Sequence, residues 1–275
     1  MTADAHFGHD ADSVLGGYRE WQVNGALADL CEAVWIYSAG SAPLPHRIVP
    51  DGKPSLAVRL RRNDRREVNH RDLIVSGGLT QSVWYEPEPH EMLIAVRLFP
   101  EAAGSIGIVP QEHANSLQAA PPRLAARLDE LVDTARADRP GDAARCLADR
   151  LLGLGHRQSR RLEHVAASAI RGARGRMSIS KLCAGLEIGE RHLRRCFLHA
   201  TGLTPKQYSR MMRHLAAISM ADKHDRPAWA DIAIAAGYVD QSHMIRDAQA
   251  LSGASPARLH AERRRESELS NTGAN

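Results

Sequence analysis

An internal duplication restricts the fold of this chain more than any other feature. The segment from Gly189 to Phe197 (GERHLRRCF), followed by Gly202-Leu203-Thr204-Pro205, recurs as Asp240 to Ala248 (DQSHMIRDA), followed by Gly253-Ala254-Ser255-Pro256. The offset stays at 51 residues: His192 matches His243, Leu193 Met244, Arg195 Arg246, Gly202 Gly253 and Pro205 Pro256, each proline following Thr or Ser. Recurrence in kind at one constant offset indicates two copies of a single supersecondary unit.

Each copy reads as helix, tight turn, helix. Ahead of the first, Ile179, Leu182, Cys183 and Leu186 form one apolar stripe at helical spacing, and Glu187-Ile188-Gly189 supplies a turn. The next helix buries Leu193 and Phe197 and turns Glu190, Arg191, Arg194, Arg195 and Leu198 outward. In the second copy Trp229, Ile232, Ala233 and Ala236 make the stripe, Gly237-Tyr238-Val239 turns the chain, and Asp240 caps a helix whose outward positions are Gln241, Ser242, Ile245 and Arg246. Two short helices with a polar or cationic outer face on the second is the helix-turn-helix pattern. Between the copies lies a long helix with a clear start: Thr204 at the N-cap, Pro205 at N1 and Gln207 at N3 make a capping box. Tyr208, Met211, Met212, Leu215 and Ile218 form its apolar stripe. Such a helix holds the units apart so that both recognition helices can enter successive major grooves, roughly 34 Å apart.

Charge is distributed to match. His156 to Arg265 holds 20 Lys+Arg against 9 Asp+Glu, a local +11, which leaves 16 basic and 23 acidic residues elsewhere in a chain of net charge +4. A basic third joined to an acidic remainder points to a polyanion-binding module attached to something else. Arg263-Arg264-Arg265, at the end of a closing helix that starts at Ser255-Pro256, reads as a basic tail near phosphates.

These motifs resemble the AraC/XylS family of bacterial transcriptional regulators over about Ser178 to Leu259. The resemblance rests on ERHLRR from Glu190, TGLTPKQY from Thr201, Asp231-Ile232-Ala233, and AAGYVDQSH from Ala235. It implies two helix-turn-helix subdomains on a long joining helix and double-stranded DNA as partner, with RNA polymerase, a small-molecule effector and a second copy of the chain as further candidate partners. Activation is the implied direction of control. By position, base contact falls to Arg191, Arg194 and Arg195 in the first unit and to Gln241, Ser242 and Arg246 in the second. Three departures stand out: Gly189 replaces a capping Ser, and Met244 and Ala248 replace aromatics in the core of the second recognition helix. The first unit is therefore expected to carry most of the affinity and the second to adjust specificity.

The front half is strand-rich. Leu56 to Arg61 alternates apolar and polar, and short apolar runs at Ala33–Tyr37, Leu73–Ser76 and Met92–Leu98 are bounded by Gly, Pro or Asp. After Pro121-Pro122 the spacing of Leu124, Leu128, Leu131 and Val132 turns helical, and a second helix is predicted over about Asp142–Leu152. Val49-Pro50-Asp51-Gly52, Gly77-Gly78 and the two late helices resemble the small degenerate cupin-type β-barrels that precede such DNA-binding domains and sense a ligand or mediate dimerisation. The expected fold class is thus α+β in two domains, β-rich with two trailing helices and then all-α. The expected boundaries are a sensing or dimerisation domain at 1–152, a linker at 153–165, the DNA-binding domain at 166–265 and a flexible tail at 266–275.

Two other classes compete. A cupin-type metal-dependent enzyme with an accessory DNA-binding domain would need clustered ligands, yet His46, His70, His90 and His113 are widely spread and lack an HxH pair followed by Glu; no metal, cofactor or catalytic group is expected. A non-sensing architectural binder would grip any duplex alike. Trp35, Trp84 and Tyr85 are candidates for a ligand pocket or for core. Cys31, Cys146, Cys183 and Cys196 form no CxxC pair and fit reduced thiols in a cytoplasm. With no secretory h-region and no run of about 18 apolar residues, a cytoplasmic chain that does not span a membrane is expected.

Overall fold

The computed structural model describes residues 11–12, 17–63, 65, 67–135, 138–154 and 161–272. Alternation along the front half produces two antiparallel sheets. Strands β1 (Ala11–Asp12), β2 (Tyr18–Gln22), β3 (Cys31–Ser38), β5 (Ser55–Arg62), β6 (Val68–Ser76), β8 (Met92–Leu98) and β9 (Leu117–Ala119) form one sheet in the order β1-β2-β3-β8-β5-β6-β9. Strands β4 (His46–Ile48) and β7 (Val83–Tyr85) pair separately. The register of β5 on β8, Leu56 opposite Val96 and Val58 opposite Ile94, puts these side chains on one face, because strand side chains alternate with period two.

That face is the main core. Val34, Ile36, Leu56, Val58, Leu60, Ile94, Val96 and Leu98 pack under two helices, α3 (Pro122–Thr134) and α4 (Pro140–Leu154). The helices contribute Leu124, Leu128, Leu131 and Val132, then Ala144, Leu147, Ala148 and Leu151. The opposite face is smaller and partly aromatic: Tyr37, Ala57, Ile74, Leu93 and Ala95, with Tyr18, Trp35 and Tyr85 against them. The β4–β7 pair covers it through a His46–Tyr37–Tyr85 cluster with ring centroids 5.5–6.3 Å apart. Trp35 stacks on Tyr18 and Tyr85 donates to Glu91, and both are half-buried against this face. Trp84 faces outward, 55% exposed, with the Arg47 guanidinium over its ring.

Two glycine-bearing turns tie the end of this sheet together. Gly52 lies at φ +66, a conformation in which Cβ is strained, and donates to the Leu79 carbonyl. A Cβ on Gly77 would fall 1.6 Å from the His113 carbonyl oxygen, so the backbones touch there directly. Two short helices, α1 (Pro100–Ala103) and α2 (Pro110–His113), follow β8 on this side.

From α5 (Leu162–Gly172) onward the described chain is helical: α6 (Ile179–Gly185), α7 (Glu190–Thr201), α8 (Pro205–Ala221), α9 (Trp229–Ala236), α10 (Gln241–Ser252) and α11 (Pro256–Thr272). The expected α+β division into a β-rich part with two trailing helices and an all-α part is the observed one. The expected linker falls partly at residues 155–160, outside the described residues, and α11 continues as helix to Thr272, into the segment expected as a tail.

Candidate nucleic-acid interface

The first helical unit is α6, turn, α7. Ser178 caps α6, accepting from the Lys181 amide, and Leu182 and Cys183 are buried below. Glu187 turns the chain at φ 54, and the Ile188 amide closes back on the Cys183 carbonyl. The second unit, α9, turn, α10, repeats this closure, with Gly237 at φ 91 and the Tyr238 amide on the Ala233 carbonyl. Up to this closure the two copies are 50 residues apart; from Gly189 and Asp240 on they are 51 apart. The extra residue is Val239, 79% exposed at the tip of the second turn.

Both recognition helices end alike, on left-handed Gly202 and Gly253, but they start differently. Asp240 accepts from the His243 amide at 2.6 Å, whereas Gly189 offers α7 no side-chain cap. An N-cap side chain is worth about 1 kcal/mol, so α7 begins less firmly.

The six predicted contact residues share one property in the structure. Arg191, Arg194 and Arg195 on α7 and Gln241, Ser242 and Arg246 on α10 are all exposed, in the first turns of their helices, while Leu193, Phe197, Met244 and Ala248 face inward. Arg195 lies 3.2 Å from His192 Nδ1, and His243 stacks edge-on against Tyr238, so each histidine steadies its own helix. Two of the arginines read as a basic tail make ion pairs within the domain: Arg263 with Asp222 at 2.8 Å, and Arg264 with Asp225, on the turn after α8.

The two cores differ in kind. The first unit rests on Leu193, Phe197, Tyr208, Ile170 and Met211, with Phe197 and Tyr208 rings 5.6 Å apart. The capping box that starts α8 is present in full: the Thr204 hydroxyl accepts from the Gln207 amide, and the Gln207 side chain accepts from the Thr204 amide. The second unit rests on four alanines (Ala217, Ala221, Ala233, Ala236) with Ile232, Tyr238 and Met244, and a crevice opens between Trp229, Ala217, Met244 and Leu259.

Polar links from α8 supplement this thin core, and the sequence reading missed them. Arg210 pairs with Asp247 of α10 at 2.8 Å, Arg213 lies over the Tyr238 ring, and His214 Nε2 is 2.7 Å from the Ser252 hydroxyl. Their only signal in the sequence was two arginines and a histidine beside the apolar stripe of α8.

Burial pushes the His214 imidazole down from about 6.5 to about 4. Its folded value lies below its unfolded one, so the unfolded chain takes the proton first. Stability from this group is complete above about pH 6.5 and falls as pH drops toward 4. The loss expected across that window is on the order of 3 kcal/mol. Chemical unfolding at pH 7, 5.5 and 4.5 should show a steeper decline for the parent chain than for His214→Leu; equal slopes would remove His214 from the account.

Comparison with known proteins bears on residues 182–262, which match a family model described as a helix-turn-helix domain. The C-terminal region is a helix-turn-helix domain of the AraC type. No curated protein sequence matches the chain. Among solved structures, it is similar to ToxT from Vibrio cholerae O395, at 11% identity and a TM-score of 0.44 over 82% of this chain and 96% of that one. It is similar also to unsaturated fatty acid-bound wild-type ToxT from V. cholerae strain SCE256, at 10% identity and a TM-score of 0.44 over 82% and 93%. These are loose likenesses of outline.

The AraC-type domain is in contact with the β-rich part. Arg171 on α5 reaches Glu101 Oε1 at 2.5 Å and the Tyr208 hydroxyl at 3.1 Å, with its guanidinium 4.0 Å from the Phe99 ring centre. Gly52 abuts Leu203 and Met211 so closely that a Cβ there would meet both below 3.0 Å. Beside this seam Lys53 Nζ holds both Glu32 oxygens at 2.6 Å; burial pushes the Glu32 carboxyl up, but Lys53 together with Arg97 and Arg171 outweighs it and keeps the group below its ordinary range. Among the described residues no three His, Cys, Asp or Glu side chains gather as a metal site, and no helix is long and apolar enough to cross a membrane.

Proposed function

We propose that the chain is a sequence-specific DNA-binding transcriptional regulator, an activator, that reads one duplex face with α7 and α10 in successive major grooves. The observation that carries this reading is the duplicated unit with all six outward side chains exposed at the front of the two recognition helices. In this reading Arg191, Arg194 and Arg195 read bases or clamp phosphates, and Gln241, Ser242 and Arg246 do so in the second groove; a bidentate arginine–guanine pair discriminates by about 1–3 kcal/mol. The first unit, with three arginines, supplies most of the affinity and the second tunes specificity. The assigned units are 1–152 for effector sensing or dimerisation, 153–165 for the linker, 166–265 for DNA binding and 266–275 for the tail. A small-molecule effector or a second copy acts through the N-terminal domain, 1–152, and RNA polymerase is the partner in activation.

Footprinting of the full chain on genomic fragments, including the region beside its own gene, tests the reading. Protection of a site spanning two major-groove steps is the expected result. Uniform protection of all sequences, with a steep salt dependence, would instead mark an architectural binder. Arg195→Ala should weaken specific binding roughly 10-fold or more and relax preference at one base position, whereas Lys206→Ala should weaken all sequences alike. Equal losses for Arg195→Ala on specific and random duplexes would end its base-reading role.

A further inference from the structure

The last four carbonyls of a helix have no partner within it and must be satisfied from outside. In both recognition helices part of that outside partner is the β-rich domain. Gln111 Nε2, on α2, donates to the Leu198 and His199 carbonyls at the end of α7, at 2.7 and 2.6 Å. At the end of α10 the Ser82 amide donates to the Leu251 carbonyl at 2.8 Å and Arg47 Nη1 to the Ser252 carbonyl at 2.6 Å. A cation at a helix C-terminus also matches the helix dipole. Two further contacts fix Arg47 in place. Glu262 of α11 accepts its Nε at 2.9 Å, and the Trp84 ring lies beneath it at 4.8 Å.

The two anchor points belong to one small piece of the β-rich domain. Four residues after Gln111, Asn115 accepts from the Thr80 amide at 2.7 Å and donates its Nδ2 to the Thr80 hydroxyl at 2.9 Å. Its own amide donates to the Gly78 carbonyl, and the Gly77 amide donates to Ser116. Thr80 stands two residues before Ser82. A short path of hydrogen bonds and chain therefore runs from α7 through Gln111, Asn115, Thr80 and Ser82 to α10, meeting both helices at their C-terminal ends. Asn115 sits at φ 54, where Asn is tolerated and most residues are not.

We propose that this path is a strut that sets the spacing of the two recognition helices, with Gln111 and Arg47 as positioning residues and Asn115–Thr80 as its joint. The proposal rests on the reading that α7 and α10 both enter DNA. Its consequence is that the β-rich domain contributes to the half-site spacing the protein selects without touching a base. A ligand or partner that shifted α2 against the β4–β7 pair would change that spacing directly.

The test uses the full chain and three variants, Asn115→Gly, Gln111→Ala and Arg47→Met. Asn115→Gly keeps the left-handed backbone accessible and removes only the joint. In a Cys146→Ser, Cys196→Ser background, spin labels on Arg194→Cys and Ile245→Cys report the α7–α10 distance in the free protein. The parent should give one narrow distribution and each variant a broader or shifted one, at an unchanged unfolding midpoint for Asn115→Gly. Distributions that stay superimposable overturn the strut. On DNA, the parent should prefer its own half-site spacing over a site with one base pair inserted by roughly fivefold or more, and the variants should lose most of that ratio. Equal weakening at both spacings would overturn the positioning role. A parent chain that prefers no site at all would end the DNA reading, while the distance measurement still decides the strut.

Discussion

Arg171→Ala is expected to destabilise the chain by about 3–5 kcal/mol, more than any surface substitution on the recognition helices. The reason is the partner it leaves behind. Glu101 is 1% exposed, its Oε1 is held by Arg171, and its Oε2 has no protein partner. Removing the cation strands a carboxylate in a site closed by Phe99 and Tyr208, with the His164 imidazole near enough to feel its charge. A double substitution, Arg171→Met with Glu101→Leu, should recover most of the loss, since replacing a buried pair by apolar groups of similar size is often neutral. Urea unfolding of the three chains measures both steps. A single variant that loses under about 1 kcal/mol, or a double variant as weak as the single, would mean that the pair is effectively solvated. Because Arg171 joins the β-rich part to the first unit, the same substitution should also loosen α5 and α7 against α1, measurable as faster amide exchange in those helices.

Phe197→Ala should cost about 3–5 kcal/mol by opening a cavity in the first unit. Phe197 is fully buried between Leu193, Ile170 and Tyr208, and its ring cannot be replaced by neighbours that already sit in close contact. The expected signature is a lower unfolding midpoint together with loss of binding at every site, because α7 no longer seats. Met244→Ala makes the contrasting case. The second unit is lined by alanines and already has a crevice beside Met244, so it has fewer side chains to lose and room to collapse. Its cost should fall toward the lower end of the 2–5 kcal/mol expected for Met→Ala, about 2 kcal/mol. Thermal unfolding of both variants compares them, and a larger loss for Met244→Ala would reverse the view that the second unit is the thinner one.

The described helices and strands were largely legible because each is announced by local chemistry. Period-two alternation marked β5, short apolar runs marked β3, the end of β6 and β8, and capping residues marked the start of α8. The six outward residues were legible for the same reason: on a short amphipathic helix, burying Leu193 and Phe197 forces Arg191, Arg194 and Arg195 to face away. The short strands β2, β4, β7 and β9 and the helices α1 and α2 carried too few residues for any period to register. The ion pairs of Arg263 and Arg264 were not legible because Asp222 and Asp225 lie 41 and 39 residues away in sequence and are brought to them only by folding.

The duplication, the register of each recognition helix and the identity of its exposed face were decided by the sequence alone, since they depend on spacings of three, four and 51 residues along one strand of chain. How the two units are held was decided only by tertiary structure. Arg47 reaches Ser252 across 205 residues and Gln111 reaches Leu198 across 87. Arginine in a three-residue strand and glutamine in a one-turn helix are ordinary surface residues until a carbonyl left unpaired at a distant helix end is packed against them.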